Sequence, residues 1–242
     1  MMCVLLVEDS KFIGELVKKE ITKGLGFKVD WAVSYQEAQA LLRRFETDYF
    51  IALLDLNLPD APDGEVVDLV LSKDIPSIVF TADFNDTIRE KIWSKKIIDY
   101  VLKESAQDVS YIVSLIRRIH LNRSIKVLVV DDSKTARTHI CNLLKVHQYH
   151  VIEACDGKQA FEKVEQYPDI KLVITDFHMP QMDGFELTKK IRTKRNKESL
   201  AIIGISSQED SALAARFIKN GANDFLQKPF GAEEFYCRVT QN

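Results

Sequence analysis

Short apolar runs alternate with amphipathic stretches along the chain. In the second half, the runs of strand length read KVLVV, HVIEA, KLVIT, AIIGIS and DFLQK. Between the first two runs, Ala136, Ile140, Leu143 and Leu144 recur at the spacing of one helical face. Strands that alternate with helices predict βαβ units and a parallel sheet covered by helices on both faces.

The chain repeats this pattern once. CVLLVEDSKFIG resembles KVLVVDDSKTAR, and three later pairs follow in the same order: ALLDLNLPDAPDG with LVITDFHMPQMDG, IVFTAD with IIGISSQ, and IDYVLKES with NDFLQKPF. Asp9 and Asp132 are 123 residues apart, and Asp55 and Asp176 are 121 apart. We therefore predict two copies of one α/β domain, residues 1–122 and 125–242, joined by a short linker.

Acidic side chains follow the first and third predicted strands of each copy. They are Glu8, Asp9 and Asp55 in the first copy and Asp131, Asp132 and Asp176 in the second. With a strand order of 2-1-3-4-5, strands 1 and 3 are neighbours at the point where ligands bind. At about 4 Å and an effective dielectric constant near 20, a like-charge pair costs roughly 4 kcal/mol. The cluster therefore needs a cation, and Mg²⁺ suits its oxygen ligands.

Two further positions supply groups that a phosphoryl group needs. Thr81 and Ser206 end the fourth strand of each copy and can donate a hydroxyl hydrogen bond. Lys103 and Lys228 end the fifth strand and can place an ammonium group against phosphoryl oxygens. A carboxylate nucleophile, a metal, a hydroxyl and a lysine together predict phosphoryl transfer to an aspartate.

These motifs resemble the receiver domain of bacterial two-component response regulators over nearly the whole chain. The second copy is the closer match, through VVDDS, TDFHMPQMDG, ISS and GANDFLQKPF. The resemblance implies two flavodoxin-like (βα)5 domains and one Mg²⁺ per domain. In the second copy it implies Asp176 as phosphoacceptor, Asp131, Asp132, Asp176 and the His178 carbonyl at the metal, Ser206 and Lys228 at the phosphoryl group, and Phe225 as the switch aromatic. It also implies a cis Lys228–Pro229 bond.

The first copy holds the same set with departures. The resemblance implies Asp55 as acceptor, Glu8, Asp9, Asp55 and the Asn57 carbonyl at the metal, Thr81 and Lys103 at the phosphoryl group, and Tyr100 as the switch aromatic. LPDAPDG is one residue longer than MPQMDG, KES replaces KPF, and KKIIDY replaces NGANDF. One alternative is therefore that the first copy is a structural or dimerising pseudo-receiver and only the second is phosphorylated.

The implied function is regulatory rather than enzymatic. Receivers accept a phosphoryl group from a histidine kinase or phosphotransfer protein, and phosphorylation would draw the hydroxyl and the aromatic side chain inward and promote homodimerisation. The tandem layout resembles the N-terminal half of receiver–receiver–GGDEF diguanylate cyclase regulators. We expect the last helix to be truncated and an output domain to follow it.

A more distant alternative is a phosphatase of the haloacid dehalogenase type. Those enzymes carry D-x-D at the end of their first core strand, whereas the candidates here read Asp55-Leu-Asn and Asp176-Phe-His on the third strand. The sequence also lacks G-x-x-x-x-G-K and G-x-G-x-x-G, which argues against a nucleotide-binding fold.

Composition narrows the partners and the compartment. A net charge of −3 and a pI near 6.0 give no general attraction to nucleic acid or anionic membranes. No apolar run approaches the ~20 residues that a transmembrane helix needs. The four cysteines are scattered, and we interpret them as reduced, mostly buried thiols of a cytoplasmic protein. We expect no direct nucleic-acid partner and no membrane partner.

Overall fold

The computed structural model describes residues 2–44, 48–82, 92, 95–207 and 211–242. The chain divides into two compact units, Met1–His120 and Leu121–Asn242, which we call the first and second domains. Each domain is built around its own parallel sheet.

The first domain alternates strands and helices as predicted. Its elements are β1 (Cys3–Val7), α1 (Lys11–Leu25), β2 (Lys28–Ala32), α2 (Tyr35–Leu42), β3 (Tyr49–Leu54), α3 (Glu65–Leu71), β4 (Ser77–Thr81), β5 (Asp99–Leu102) and α4 (Ala106–Asn122). The sheet order is β2-β1-β3-β4-β5, with all pairs parallel. The helix expected between β4 and β5 lies outside the described residues.

The second domain repeats this architecture. Its elements are β6 (Lys126–Val130), α5 (Lys134–Val146), β7 (His150–Ala154), α6 (Gly157–Gln166), β8 (Ile170–Asp176), α7 (Gly184–Arg192), β9 (Ala201–Ser206), α8 (Ser211–Lys219), β10 (Asp224–Gln227) and α9 (Ala232–Gln241). The sheet order is β7-β6-β8-β9-β10, again parallel. The α/β class, the tandem arrangement and the 2-1-3-4-5 order are therefore confirmed.

The central strands are buried on both faces, which explains their unbroken apolar sequence. Every residue of β1 and β3 is buried, and β9 is buried throughout. The helix that follows each acid pair starts at a serine cap. Ser10 accepts a hydrogen bond from the Ile13 amide, and Ser133 accepts one from the Ala136 amide. These caps begin α1 and α5 directly beyond the strand ends, so the acids lie in the turn between strand and helix.

Two sequence expectations about the environment can be compared with the structure. Cys3 and Cys141 are buried, but Cys155 and Cys237 are exposed, so the expectation that most of the thiols are buried is wrong for half of them. Cys155 follows β7 and Cys237 lies on α9, and both are outside the cores. Among the described helices, none combines the length and the apolar character required to cross a bilayer.

Candidate functional site

In the first domain, three strand ends bring Glu8, Asp55 and Lys103 together. The Lys103 Nζ atom lies 2.7 Å from Glu8 Oε2 and 2.5 Å from Asp55 Oδ2. The Lys103 and Asp55 side chains are each 7% exposed and that of Glu8 is 1% exposed. A buried lysine thus bridges two buried carboxylates, the arrangement that limits the cost of removing them from water.

The acids of this site are closely spaced. Oxygen atoms of Glu8, Asp9 and Asp55 all lie within 4.8 Å of one another. Burial raises the pKa of the Glu8 carboxyl, and the hydrogen bond from Lys103 opposes that rise. Asp9 is exposed to solvent. The site therefore combines two buried acids with one that remains open to solvent.

Of the remaining predicted residues of the first domain, two lie at the same edge of the sheet and the third lies within β5. Thr81 is fully buried at the end of β4, and its carbonyl accepts a hydrogen bond of 2.9 Å from the Lys103 amide. The Asn57 amide donates to Asp55 Oδ1 at 3.3 Å. Tyr100, on β5, packs against the apolar core of the domain. Thr81 and Asn57 thus lie at the edge that holds the acids, whereas Tyr100 pairs with Val79 inside the sheet.

The second domain repeats the bridge with Asp131, Asp176 and Lys228. The Lys228 Nζ atom lies 2.7 Å from Asp131 Oδ2 and 2.6 Å from Asp176 Oδ1. The Ser133 amide donates to Asp131 Oδ1 at 2.9 Å, and the His178 amide donates to Asp176 Oδ2 at 2.8 Å. Each carboxylate therefore has one oxygen on the lysine and the other on a backbone amide.

The charges of this second site shift one another. Burial raises the pKa of Asp176, against the hydrogen bond from Lys228. Burial alone would lower the pKa of Lys228, but its hydrogen bonds with Asp131 and Asp176 raise it overall. The lysine side chain is 22% exposed, and Asp132 is exposed. The lysine therefore remains charged while it faces two acids.

The predicted hydroxyl residue is joined to Lys228, and the predicted aromatic residue lies within β10. Ser206 is buried at the end of β9, and its carbonyl accepts a 2.8 Å hydrogen bond from the Lys228 amide. Phe225 is partly buried, with its ring centroid 5.7 Å from that of Phe217. Lys228–Pro229 is cis, as the resemblance implied.

Three side-chain contacts near the sites were not foreseen, two of them to site residues and one to the start of α2. Asp60, in the longer LPDAPDG loop, accepts hydrogen bonds from the Tyr35 and Gln36 amides at 2.8 and 3.0 Å. Trp31 and Arg137 each donate to the backbone carbonyl of a first-strand acid. The extra loop residue was the available signal for Asp60. For Trp31 and Arg137, the available signal was that two aligned positions differ together between the two copies of the repeat.

The donor set suits a hard divalent cation. Receiver domains bind Mg²⁺ at an acidic pocket, and Mg²⁺ takes oxygen ligands while it keeps several waters. The first domain offers three carboxylates within 4.8 Å, one of them exposed and open to water. Sulfur and imidazole ligands, which would favour zinc, do not belong to this group. The residues therefore fit Mg²⁺, the ion that the resemblance implies.

Comparison with known proteins agrees with this geometry. A family model described as the response regulator receiver domain matches residues 127–240. A CheY homologue of Campylobacter jejuni is 39% identical over 106 residues, which are 43% of this chain and 82% of that protein. Helicobacter pylori CheY1 is 41% identical over 43% of this chain and 86% of its own length. The rice two-component response regulator ORR5 is 37% identical over 43% and 77%.

Two solved structures match the whole chain. Both are described as two-component system response regulator/GGDEF domain proteins. One is 38% identical with a TM-score of 0.87, and the other is 40% identical with a TM-score of 0.85. Each match covers 100% of this chain and 97% of the other.

The chain belongs to the response regulator receiver family. More specifically, it is a tandem-receiver response regulator of two-component signal transduction, and its two domains are regulatory modules rather than catalytic ones.

Proposed function

We propose that both domains accept a phosphoryl group on the carboxylate that ends the third strand, Asp55 in the first domain and Asp176 in the second. The observation that carries this proposal is the lysine bridge, which recurs in both domains. Lys103 and Lys228 each hold a first-strand acid and the acceptor within 2.7 Å of one ammonium group. A carboxylate so placed has a cation ready for the charge that phosphorylation adds.

The transfer step follows from the chemistry of the acceptor. A carboxylate oxygen of Asp55 or Asp176 attacks phosphorus and forms an O–P bond. The N–P bond to the imidazole of a donor phosphohistidine breaks, and the imidazole takes up a proton. Lys103 or Lys228 then faces the phosphoryl oxygens as a point charge. The buried hydroxyl of Thr81 or Ser206 is the hydrogen-bond donor proposed for the same group.

We assign one Mg²⁺ to each domain. The ligands would be Glu8, Asp9, Asp55 and the Asn57 carbonyl in the first domain, and Asp131, Asp132, Asp176 and the His178 carbonyl in the second. When bound, the ion supplies charge neutralisation at the transferring group. The close spacing of Glu8, Asp9 and Asp55 supports the first domain as a working receiver rather than a structural copy.

The proposed phosphodonor is a histidine kinase or a phosphotransfer protein. An apolar cavity of about 160 Å³ adjoins the second site and offers a surface for such a donor. Its lining residues are Ala136, His139, Ile140, Lys228, Pro229 and Phe230. Ala136→Arg should slow transfer from a phosphorylated phosphotransfer protein but leave labelling by acetyl phosphate unchanged. Equal slowing with both donors would argue against a docking role.

The structural response proposed for phosphorylation begins at the buried hydroxyls. Ser206 and Thr81 would move toward the phosphoryl group, and Phe225 and Tyr100 would follow, which changes the surface formed by the fifth strand and its neighbouring helices. We propose homodimerisation through that surface and control of an output domain such as a diguanylate cyclase. Beryllofluoride, a phosphoryl mimic, should increase the mass measured by light scattering; a filled site with no mass change would argue against dimerisation.

The decisive experiment is intact mass spectrometry after incubation with Mg²⁺ and acetyl phosphate. Wild type should gain two phosphoryl groups. Asp55→Asn and Asp176→Asn should each retain one, and the double variant none. EDTA should suppress all labelling. A single group on wild type, lost only in Asp176→Asn, would make the first domain a structural or differently regulated module. Absence of any adduct, together with no response to beryllofluoride, would refute the proposal.

A further inference from the structure

The carbonyl of each first-strand acid receives a side-chain hydrogen bond, but the donor differs between the domains. In the first domain the indole Nε1 of Trp31 donates to the Glu8 carbonyl at 2.7 Å. In the second domain Nη1 of Arg137 donates to the Asp131 carbonyl, also at 2.7 Å. The two donors come from different elements: Trp31 lies on β2, and Arg137 lies on α5.

The two domains differ together at two equivalent positions, and each donor occupies one of them. Trp31 pairs with Leu6 in the first sheet, and Glu153 pairs with Val129 in the second. Leu6 and Val129 each lie two residues before the first acid, so Trp31 and Glu153 occupy equivalent positions. Gly14 and Arg137 each lie six residues after that acid. The first domain thus has glycine and tryptophan where the second has arginine and glutamate.

Packing explains why each pair occurs together. A Cβ atom at Gly14 would lie 2.1 Å from the Trp31 ring, so the indole needs glycine opposite it. In the second domain Arg137 fills that space, and its Nε atom lies 3.1 Å from Glu153 Oε2. The Arg137 side chain is 15% exposed. Either pair therefore fills the gap between helix and strand and directs one N–H group at the same carbonyl.

The hydrogen-bonded carbonyl belongs to the residue that provides the first acid of the site. Its amide is also held: the Glu8 amide donates to the Ala32 carbonyl at 3.0 Å, and the Asp131 amide donates to the Ala154 carbonyl at 3.3 Å. With both sides of the residue fixed, its Cα–Cβ direction is fixed as well. Glu8 and Asp131 are each 1% exposed, so their carboxylates have little room to reorient.

We propose that Trp31 and Arg137 are equivalent positioning residues, each of which fixes the first acid of its site through the backbone carbonyl of that acid. Each works only with the residue that faces it, Trp31 with Gly14 and Arg137 with Glu153. The metal readout of this inference rests on the proposed function of the acids. Groups that contact a metal ligand without binding the metal orient that ligand.

The test transfers one pair into the other domain of the full chain. Gly14→Arg, Trp31→Glu and the double variant are compared in an Asp132→Asn background, which disables the second site. Trp31→Phe keeps the ring but removes the N–H donor. Binding of Mn²⁺, used as a probe of the Mg²⁺ site, is titrated by electron paramagnetic resonance. Urea unfolding of the same metal-free variants is followed by circular dichroism.

Trp31→Phe should weaken Mn²⁺ binding at the first site about 10-fold, in the range for loss of an outer-shell partner. Each single change of the pair should weaken binding at least as much, and the double variant should regain most of the affinity and of the urea midpoint. A double variant no better than the weaker single variant, or an unchanged Trp31→Phe, would overturn the inference.

Failure of the metal site itself would be recognisable. If wild type in this background binds no Mn²⁺, the proposed metal function of the first domain fails. The urea data then still test whether Gly14 and Trp31 work only as a pair, since coupling between them needs no metal. Additive losses of stability in the double variant would overturn that pairing, whereas recovery would support it.

Discussion

The two domains differ in a direction that their sequences do not suggest. The first departs more from the family pattern, yet its bridging lysine is 7% exposed against 22% for the second. Its three acids also approach within 4.8 Å, and the described part of the chain contains no second such group. One difference is that Glu8 is a methylene longer than Asp131. The first site, which has Glu8 in place of an aspartate, is therefore at least as buried as the second.

The second domain differs in the layer behind its site. Phe217 is fully buried and packs against the rings of Phe177, Phe185 and Phe225, at centroid distances of 6.0, 4.6 and 5.7 Å. Tyr100, at the position of Phe225, packs against a largely aliphatic core. The chemistry at the strand ends is thus shared, while the layer that would respond to it is specific to each domain.

Removal of Phe217 should have the largest effect on stability. Phe217→Ala should lower the free energy of unfolding of the second domain by about 3–5 kcal/mol, because it leaves a cavity at a fully buried position. Both tryptophans of the chain, at positions 31 and 93, precede residue 120. Far-ultraviolet circular dichroism should therefore show that part of the chain unfolds at a lower urea concentration. Tryptophan fluorescence, which reports only on the first domain, should keep its midpoint.

Phe12→Ala is the control for that measurement, since Phe12 is 79% exposed. It should move neither transition, because a side chain that is exposed in the folded state contributes little burial. A shift of the fluorescence midpoint in Phe217→Ala would contradict independent stability of the two domains.

The lysine bridges test the comparison directly. Lys103→Ala should destabilise the first domain by about 3 kcal/mol, because two buried acids lose their cation. Glu8 can relieve part of the repulsion by taking up a proton, which places the loss at the low end of the range. Lys228→Ala should cost the second domain less, since its lysine is more exposed. Urea unfolding in EDTA, with fluorescence for the first domain and dichroism for both, measures the two losses.

Lys95→Ala controls for the loss of a surface ion pair. Lys95 lies 2.6 Å from an Asp68 side chain that is 67% exposed, and its removal should cost about 0–1 kcal/mol. An equal loss for Lys103→Ala and Lys228→Ala would show that the difference in burial does not affect stability.

The pH dependence should distinguish the domains by the acid that carries the raised pKa. Burial raises the pKa of Glu8 in the first domain and of Asp176 in the second. A raised pKa means that the folded state binds the proton more tightly than the unfolded chain. Stability from this group therefore rises as the pH falls through the raised pKa, down to the usual values of 4.5 and 3.8.

Glu8→Gln and Asp176→Asn cannot take up that proton. In EDTA, the stability of wild type relative to Glu8→Gln should increase as the pH falls through this window, and fluorescence should detect it. Asp176→Asn should show the same trend by dichroism alone. A constant difference between wild type and variant across the window would contradict the raised pKa values.

Much of the fold followed from the sequence because its signals are local. KVLVV, HVIEA and AIIGIS match β6, β7 and β9 residue for residue. The convergence of the acids also followed, since parallel strands 1 and 3 end at the same edge of the sheet. The relative closeness of the two acid clusters did not follow, because it depends on side-chain length and on the burial of Lys103 and Lys228.

The contacts of Trp31, Arg137 and Asp60 could not be predicted from periodicity. Trp31 reaches Glu8 across 23 residues, and Asp60 reaches the start of α2 from 24 and 25 residues away, whereas Arg137 reaches back six residues from α5 to the end of β6. Such contacts depend on the packing of a helix or loop against a neighbouring strand rather than on local propensity. A repeat offers one indirect signal, since paired changes at aligned positions mark side chains that adapt to each other.

The smallest expected effect concerns the loop that is one residue longer in the first domain. Asp60 accepts hydrogen bonds from two amides at the start of α2, and these bonds lower the pKa of its carboxyl. Its stabilisation is therefore present above the usual value of 3.8 and is lost as the pH falls through the lowered pKa. Asp60→Ala should lower the fluorescence-detected urea midpoint slightly at neutral pH, and the difference should vanish in acid.

The second domain provides the reference for this effect. Its helix α6 is capped by Asp156, which accepts from the Gln159 amide at 2.8 Å, and Asp156→Ala should cost about 1 kcal/mol. In the first domain Ser34 already caps α2 through the Glu37 amide, so Asp60 adds only to an existing cap. Asp63→Ala, in the same loop, controls for the loss of charge. A loss for Asp60→Ala equal to that for Asp156→Ala would mean that the longer loop, rather than Ser34, holds the start of α2.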